Sequence, residues 1–386
     1  MNVLLMSPHF PPNYYHFAVA LRRLGVNVLG LGDASYDVLR PELRQALTEY
    51  YRVYDLHNYD QLVRACGYFI HRYGKLDRIE SHNEYWLETD ARLRTDFNVP
   101  GPRTQDIEWV KRKSKMKKIF AKAGIDVARG KIVGTRTVAQ QFIDTVGYPV
   151  VAKPDIGVGA AATYKIHNRE ELDHFFVEKP PADYIMEEFI AGELFSFDGL
   201  VDQDNHIVFY TSHFFSQGIM ETVNEGLELF YYSLRDIPQG LEDVGRRAVE
   251  AFDLRERFFH IEFFHPADDR WVALEVNMRP PGGLTIDMFD YANDLDLYQE
   301  WANVVVFNQF SAEYSRPYHC GYIGRKWHLD HRLSHGDVLR MYAPFICHHE
   351  AISPVMAPAI GDYAYLVRSP DLTVLQQIIE GVLALQ

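Results

Sequence analysis

The sequence predicts a multidomain chain that combines α/β and α+β architecture, with a Rossmann-like lobe first and a strand-rich region after it. Three observations predict this. The first third alternates short apolar runs with amphipathic segments, the pattern of a parallel doubly wound sheet. Beyond about residue 189 the pattern becomes strand-rich, with only two helical interruptions. At 386 residues the chain is also too long for one compact core and long enough for two or three lobes.

In the first lobe, residues 2–6 read as a buried strand, 14–24 as a helix and 26–31 as a second strand. A helix at 41–50, a strand at 51–56, a helix at 59–73 and a strand at 78–81 follow. The loop after the first strand, Ser7-Pro8-His9-Phe10-Pro11-Pro12-Asn13, has prolines and bulky rings where a dinucleotide-binding turn needs glycines. The lobe is therefore Rossmann-like in shape without being an NAD site. Val99-Pro100-Gly101-Pro102 is a rigid turn and the first boundary. One basic amphipathic helix is expected over 107–123, closed by Gly124 at its C-terminal cap. Strands are expected at 193–200, 207–215, 258–264 and 271–277, helices near 241–252 and 294–307, and a last helix over 371–385.

Hydrophobic residues make up 47% and charged residues 24%, the mix of a globular enzyme. A net charge of −14 sets the overall field against nucleic acid, so no nucleic-acid partner is expected. The 3 cysteines (Cys66, Cys320, Cys347) form no CxxC pair, which suits a reducing cytosol and a cytoplasmic location. The N-terminal run Val3–Met6 lacks the features of a signal peptide, and no stretch reads as a membrane span. Among 17 histidines none has HExxH spacing, and adjacent His348 and His349 suit the two faces of a strand better than one metal.

Four motifs carry chemistry. Pro149–Pro154 is a buried strand ending in Lys153, followed by the small-residue run Asp155-Ile156-Gly157-Val158-Gly159-Ala160-Ala161-Ala162. Without bulky side chains, backbone N–H groups there can approach anionic oxygens. Because the lysine precedes the glycines, this is not a Walker A loop. Tyr184–Glu193 enters an extended hinge, whose free backbone groups can pair with an adenine edge, and Glu193 can accept from ribose hydroxyls. His260–Phe264 and Ala273–Arg279 read as a hairpin turning at Pro266–Arg270. Glu262 and Glu275 then lie side by side, and two such carboxylates repel unless a cation sits between them. Asn277 shares their face and adds a neutral oxygen, a hard ligand set suited to Mg²⁺. Arg279 continues that face, where a guanidinium can hold a phosphoryl group or an acyl phosphate.

Taken in order, these motifs resemble the ATP-grasp family, which includes biotin carboxylase and D-alanine–D-alanine ligase, from the N-terminal lobe to about Val305. The resemblance implies an ATP-grasp fold in three parts: a pre-ATP-grasp lobe at 1–105, a lid at 106–189, and a large part at 190–386 with a C-terminal extension from about 317. It adds a phosphate lysine before the Gly124-Ile125-Asp126 turn, Lys113, with Lys115 as the alternate register. By carry-over, Lys113 and Lys153 contact the ATP phosphates under a loop that includes Gly157, Gly159 and Ala160. Glu187, Glu188 and Ile190 present hinge groups to adenine, and Glu193 meets the ribose. Glu262, Glu275 and Asn277 hold two Mg²⁺ ions, and Arg279 with Lys153 stabilises the reacting groups. The implied reaction joins a small carboxylate to an amine, both amino-acid-like, through an acyl phosphate. Pro280-Pro281-Gly282-Gly283 resembles the amino-acid and peptide ligases of the family. Tyr14, His213, Glu221, Arg325 and Lys326 are candidate substrate contacts, and a homodimer is the family-level expectation. The competing readings are a phosphotransferase on the same fold and a nucleotide-binding module without turnover.

Overall fold

The computed structural model describes residues 1–157 and 162–386, without the side chains of Ile219 and Glu221. The first lobe is a four-stranded parallel sheet in the order Glu49–Arg52, Asn27–Gly32, Asn2–Met6, Arg78–Glu80. Its first strand is fully buried, so one helix, Tyr15–Arg23, covers one face while Tyr59–Tyr73 covers the other. The apolar run Val3–Met6 follows from burial on both faces.

A small antiparallel sheet follows, in the order Gly130–Ile132, Tyr184–Glu188, Val150–Pro154, Tyr164–Ile166. The helices Arg136–Val146 and Arg169–Glu178 pack on one face of it through Phe142, Ile143, Leu172 and Phe175. Its other face is left to the cleft.

The third sheet has nine strands. They run Ile346–Ala351, Tyr363–Ser369, His319–Arg325, Leu229–Ser233, Ile207–Phe215, Glu193–Val201, Arg257–His265, Val272–Asn277 and Asp126–Val127. Strand alternation divides the central residues between two faces. Phe195, Phe197, Phe259, Ile261 and Phe263 pack against the helices Gln239–Ala251 and Lys113–Lys122, while Ser196, Asp198, His260 and Glu262 point the other way, His260 and Glu262 lining the cleft and Ser196 and Asp198 buried behind it. Packing on the helix side is tight at Gly199, where a Cβ would lie 2.2 Å from the Phe209 carbonyl oxygen and 2.6 Å from the Phe259 ring. Gly199→Ala is therefore expected to cost about 3 kcal/mol, the upper range for overpacking. Chemical denaturation of the two proteins checks it.

Two expectations are corrected here. The helix over 107–123 is two helices, Thr104–Lys111 and Lys113–Lys122, broken at Arg112, whose backbone is extended. Buried Asp155 causes the break: its carboxylate accepts from Ser114 N at 2.8 Å and Ser114 Oγ at 3.0 Å, and its carbonyl accepts from Lys113 N. The lid sheet comprises residues between 130 and 188, because Asp126–Val127 pairs in parallel with Val272 and Ala273 of the large sheet. The C-terminal extension contributes three strands that complete the large sheet beyond Leu229–Ser233. Among the described residues no helix is long and apolar enough to cross a membrane.

Candidate active site

The small sheet and the cleft face of the large sheet enclose a cavity of about 840 Å³. Lys113, Lys153, Gly157, Glu187, Glu188, Ile190, Glu193, Glu262, Glu275 and Arg279 all line it. Gly159 and Ala160 lie outside the described residues.

Two strands set its metal-binding side. Glu262 and Glu275 are direct cross-strand partners, and His260 pairs with Asn277 in the same ladder. Asn277 Nδ2 lies 3.4 Å from Glu275 Oε1. Burial alone would raise the Glu275 pKa, but Lys113 and Lys153 more than reverse this and hold the carboxyl at about 2. Lys113 Nζ is 3.6 Å from Glu275 Oε2 and also reaches the Gly157 carbonyl at 3.4 Å. Lys113 thus faces the cleft, whereas Lys115 pairs with Glu108 on the outer side.

The lid side is organised by Glu187. It is assigned above to the hinge, but its side chain is 4% exposed and accepts from Lys153 Nζ at 2.9 Å and Lys117 Nζ at 2.8 Å. Strand pairing on both sides uses its position in the ladder, opposite Gly130 and Val151. Burial would raise its pKa; Lys153 first and Lys117 second lower it below the usual range. Glu187 therefore holds a lysine pair in place. Lys117 was missed from sequence because, in the basic run, nothing distinguishes it from its solvated neighbours. The side chain of Glu188 instead clamps Arg129, accepting from its backbone N and Nε at 2.7 Å each.

Arg279 closes the floor against the first lobe. Its Nε lies 3.4 Å from Oε2 of buried Glu84. Sequence reading passed over Glu84, although it follows the Arg78–Glu80 strand, and ligands of parallel α/β sheets lie beyond the carboxyl ends of strands. The proline-rich loop of that lobe docks beside it. Asn13 Nδ2 donates to Asp287 Oδ2 at 2.8 Å and the Gly283 carbonyl at 3.3 Å, and Tyr14 Oη to the Pro281 carbonyl at 3.5 Å.

The other candidate substrate contacts separate. His213 is fully buried behind the cleft, 2.7 Å from Asp198 Oδ2. Arg325 donates to the Val382 and Leu333 carbonyls and Lys326 to the Thr222 carbonyl, so both anchor backbone rather than reach the cavity. The side chain of Glu221 lies outside those described.

Behind Glu262 runs a buried charge line. His260 places Nε2 3.0 Å from Glu262 Oε1 and Nδ1 on Asp198 Oδ1, and Asp198 also takes His213 and Ser196. Burial would depress the His260 pKa, but Asp198 overrides it and holds the imidazolium up to about 10. A folded-state pKa raised above 6.5 stabilises fully below that pH and is lost as pH climbs toward 10. The melting temperature should therefore fall by a few degrees between pH 6.5 and 10, and Asp198→Asn should flatten that decline. Calorimetric scans across the range test both.

A larger cavity, about 1120 Å³, lies away from these groups. On its wall Arg78 pairs with Glu256, Arg94 and Arg257 with Glu80, and Arg255 with Asp253, and Lys118 and Lys122 also line it.

The family model of the ATP-grasp domain matches residues 146–287. The chain carries an ATP-grasp domain. That match includes Lys153, the hinge, Glu262, Glu275, Asn277 and Arg279. Among curated relatives, the L-arginine-specific L-amino acid ligase of Bacillus subtilis is 23% identical over 243 residues, 61% of this chain and 59% of that ligase. The carbamoyl phosphate synthase large chain of Clavibacter michiganensis subsp. michiganensis is 26% identical over 193 residues, 46% of this chain and 17% of that protein. The chain thus matches about three fifths of the first relative's length and much less of the second. The ATP-grasp fold extends over nearly the whole chain. The L-amino acid ligase of Bacillus licheniformis superposes with a TM-score of 0.75 at 17% identity, covering 98% of this chain and 96% of that one. The ADP complex of N5-carboxyaminoimidazole synthetase from Staphylococcus aureus superposes with a TM-score of 0.74 at 16% identity, covering 97% and 95%.

Proposed function

We propose that this ATP-grasp chain is a Mg²⁺- and ATP-dependent ligase that joins a small, amino-acid-like carboxylate to an amine. The observation that carries the reading is the paired Glu262 and Glu275, with Asn277, facing Lys113 and Lys153 across one cleft that Arg279 borders. Glu262, Glu275 and Asn277 offer the hard oxygen set that Mg²⁺ requires, and the strongly acidic Glu275 stays ionised there at any physiological pH. Bound Mg²⁺, as two ions, would neutralise charge on the nucleotide phosphates.

In this reading Lys113 and Lys153 hold phosphate oxygens, and the hinge at Glu188–Ile190 meets the adenine with Glu193 at the ribose. A substrate carboxylate oxygen attacks the γ-phosphorus of ATP, and ADP leaves. The amine then attacks the acyl carbon, and the phosphate departs with the former carboxylate oxygen. Arg279, held by Glu84, sits where charge develops on the acyl phosphate and on the tetrahedral species that follows. No protein nucleophile is required, because positioning and preorganised charge supply the acceleration. The names of the amino acid ligases among its relatives and structural neighbours support the same chemistry.

A pool of amino acids labelled with ¹⁸O in their carboxyl groups tests the route. One ¹⁸O per released inorganic phosphate is expected. Unlabelled phosphate would exclude an acyl phosphate. ADP formed without inorganic phosphate would indicate transfer to a hydroxyl.

A further inference from the structure

We propose that the cleft continues past the metal carboxylates into a subsite for an apolar side chain, so that the amino acid bound there is aliphatic or aromatic rather than charged. The proposal rests on the ligase reading and names its substrate class. It follows from two neighbouring rows of side chains on the cleft face of the large sheet. One row, Glu275, Glu262, Ser196, His213 and Ser233, is polar at every strand. The next, Phe264, Leu194, Phe215, Tyr231 and Tyr322, is apolar or aromatic at every strand. It starts beside the hinge and runs away from it, so Tyr231 stands three strands beyond Phe264, about 14 Å at normal strand spacing.

At that far end the rings form a stack. Phe215 and Tyr231 have centroids 5.0 Å apart, and Tyr231 and Tyr322 are 4.9 Å apart. Both hydroxyls are already engaged: Tyr231 Oη lies 2.9 Å from Thr285 Oγ1, and Tyr322 Oη donates to the Ile360 carbonyl at 2.9 Å. What faces the cavity at Phe215 and Tyr231 is therefore hydrocarbon. Opposite them stand Met220, Met356, Ala359 and Ile360, and Gly283 brings its backbone close enough that a Cβ would lie 3.3 Å from Ile360 Cδ1. The charged side chains among the described lining residues belong to the lysine, hinge, carboxylate and Arg279 groups and to His260, whose two ring nitrogens are already held by Asp198 and Glu262. A guanidinium or carboxylate placed there would lose hydration without finding a partner. An apolar side chain gains about 3- to 4-fold in affinity for each methylene it buries.

The test is calorimetric binding of leucine, phenylalanine, alanine, arginine and glutamate to the chain saturated with Mg-ADP, with ADP release from Mg-ATP measured for the same amino acids. Leucine or phenylalanine should bind at least about 10-fold tighter than alanine, with arginine and glutamate no tighter than alanine. Met356→Glu should weaken leucine about 10-fold, strengthen arginine, and leave Mg-ADP affinity unchanged. Ala359→Glu, at a half-buried position, should shift the order the same way if Met356→Glu fails to fold. Tighter binding of a charged amino acid, binding of none, or an order unmoved in a folded variant would each overturn the subsite. Leucine binding without ADP release from any amino acid would keep the subsite and remove the ligase reading. ADP release supported only by charged amino acids would do the reverse.

Discussion

Glu275→Gln is expected to lower turnover at least ~10²-fold, the scale for removing one preorganised charge from a reacting centre. The substitution keeps the shape of the side chain and removes only its charge. Glu275 is ionised because Lys113 and Lys153 outweigh its burial. Without that charge Glu262 is the sole carboxylate of the pair, and both lysines face one anion fewer. The Mg²⁺ concentration for half-maximal rate should rise about 10-fold in the same variant. Steady-state ADP release at several Mg²⁺ concentrations measures both. Near-normal turnover with an unchanged Mg²⁺ requirement would mean that the metal is held elsewhere.

Lys153→Ala should weaken ATP binding roughly 10- to 100-fold and also destabilise the fold by about 3 kcal/mol, because it leaves buried Glu187 with Lys117 alone. The two effects are separable. Adding Glu187→Gln leaves buried Lys117 without its carboxylate and should lower stability further, while nucleotide affinity stays as low as in the single variant. Calorimetric titration with Mg-ADP and denaturant melts of the single and double variants distinguish them. Unchanged nucleotide affinity in Lys153→Ala would show that the phosphates lie away from this lysine.

What could be read from sequence was what local pattern encodes. The Glu262–Glu275 pairing follows from a turn at Pro266–Arg270 and a period of two, and the ladder has them opposite each other. Tyr59–Tyr73 was legible end to end, because Asn58 caps its start and Gly74 its end. What could not be read depends on distant partners. The break at Arg112 needs Asp155, 43 residues on, to capture Ser114 N. The burial of Glu187 needs two lysines from two different elements. His213 was a candidate substrate contact, but Asp198 holds it in the sheet interior. Arg279 was placed by its strand, while its partner Glu84 comes from another lobe, where no spacing rule reaches. The C-terminal segment was expected within the large part, but the order in which its strands join the sheet was not legible, because edge pairing is decided by the neighbour and not by the strand.

The most direct measurement is ADP release from Mg-ATP in the presence of pooled L-amino acids, with mass spectrometry of the products. The account predicts that ADP release requires the pool, and that a new species appears at the summed mass of two components less one water. ADP release without any such species, or a product heavier than one component by a phosphoryl group, would contradict it.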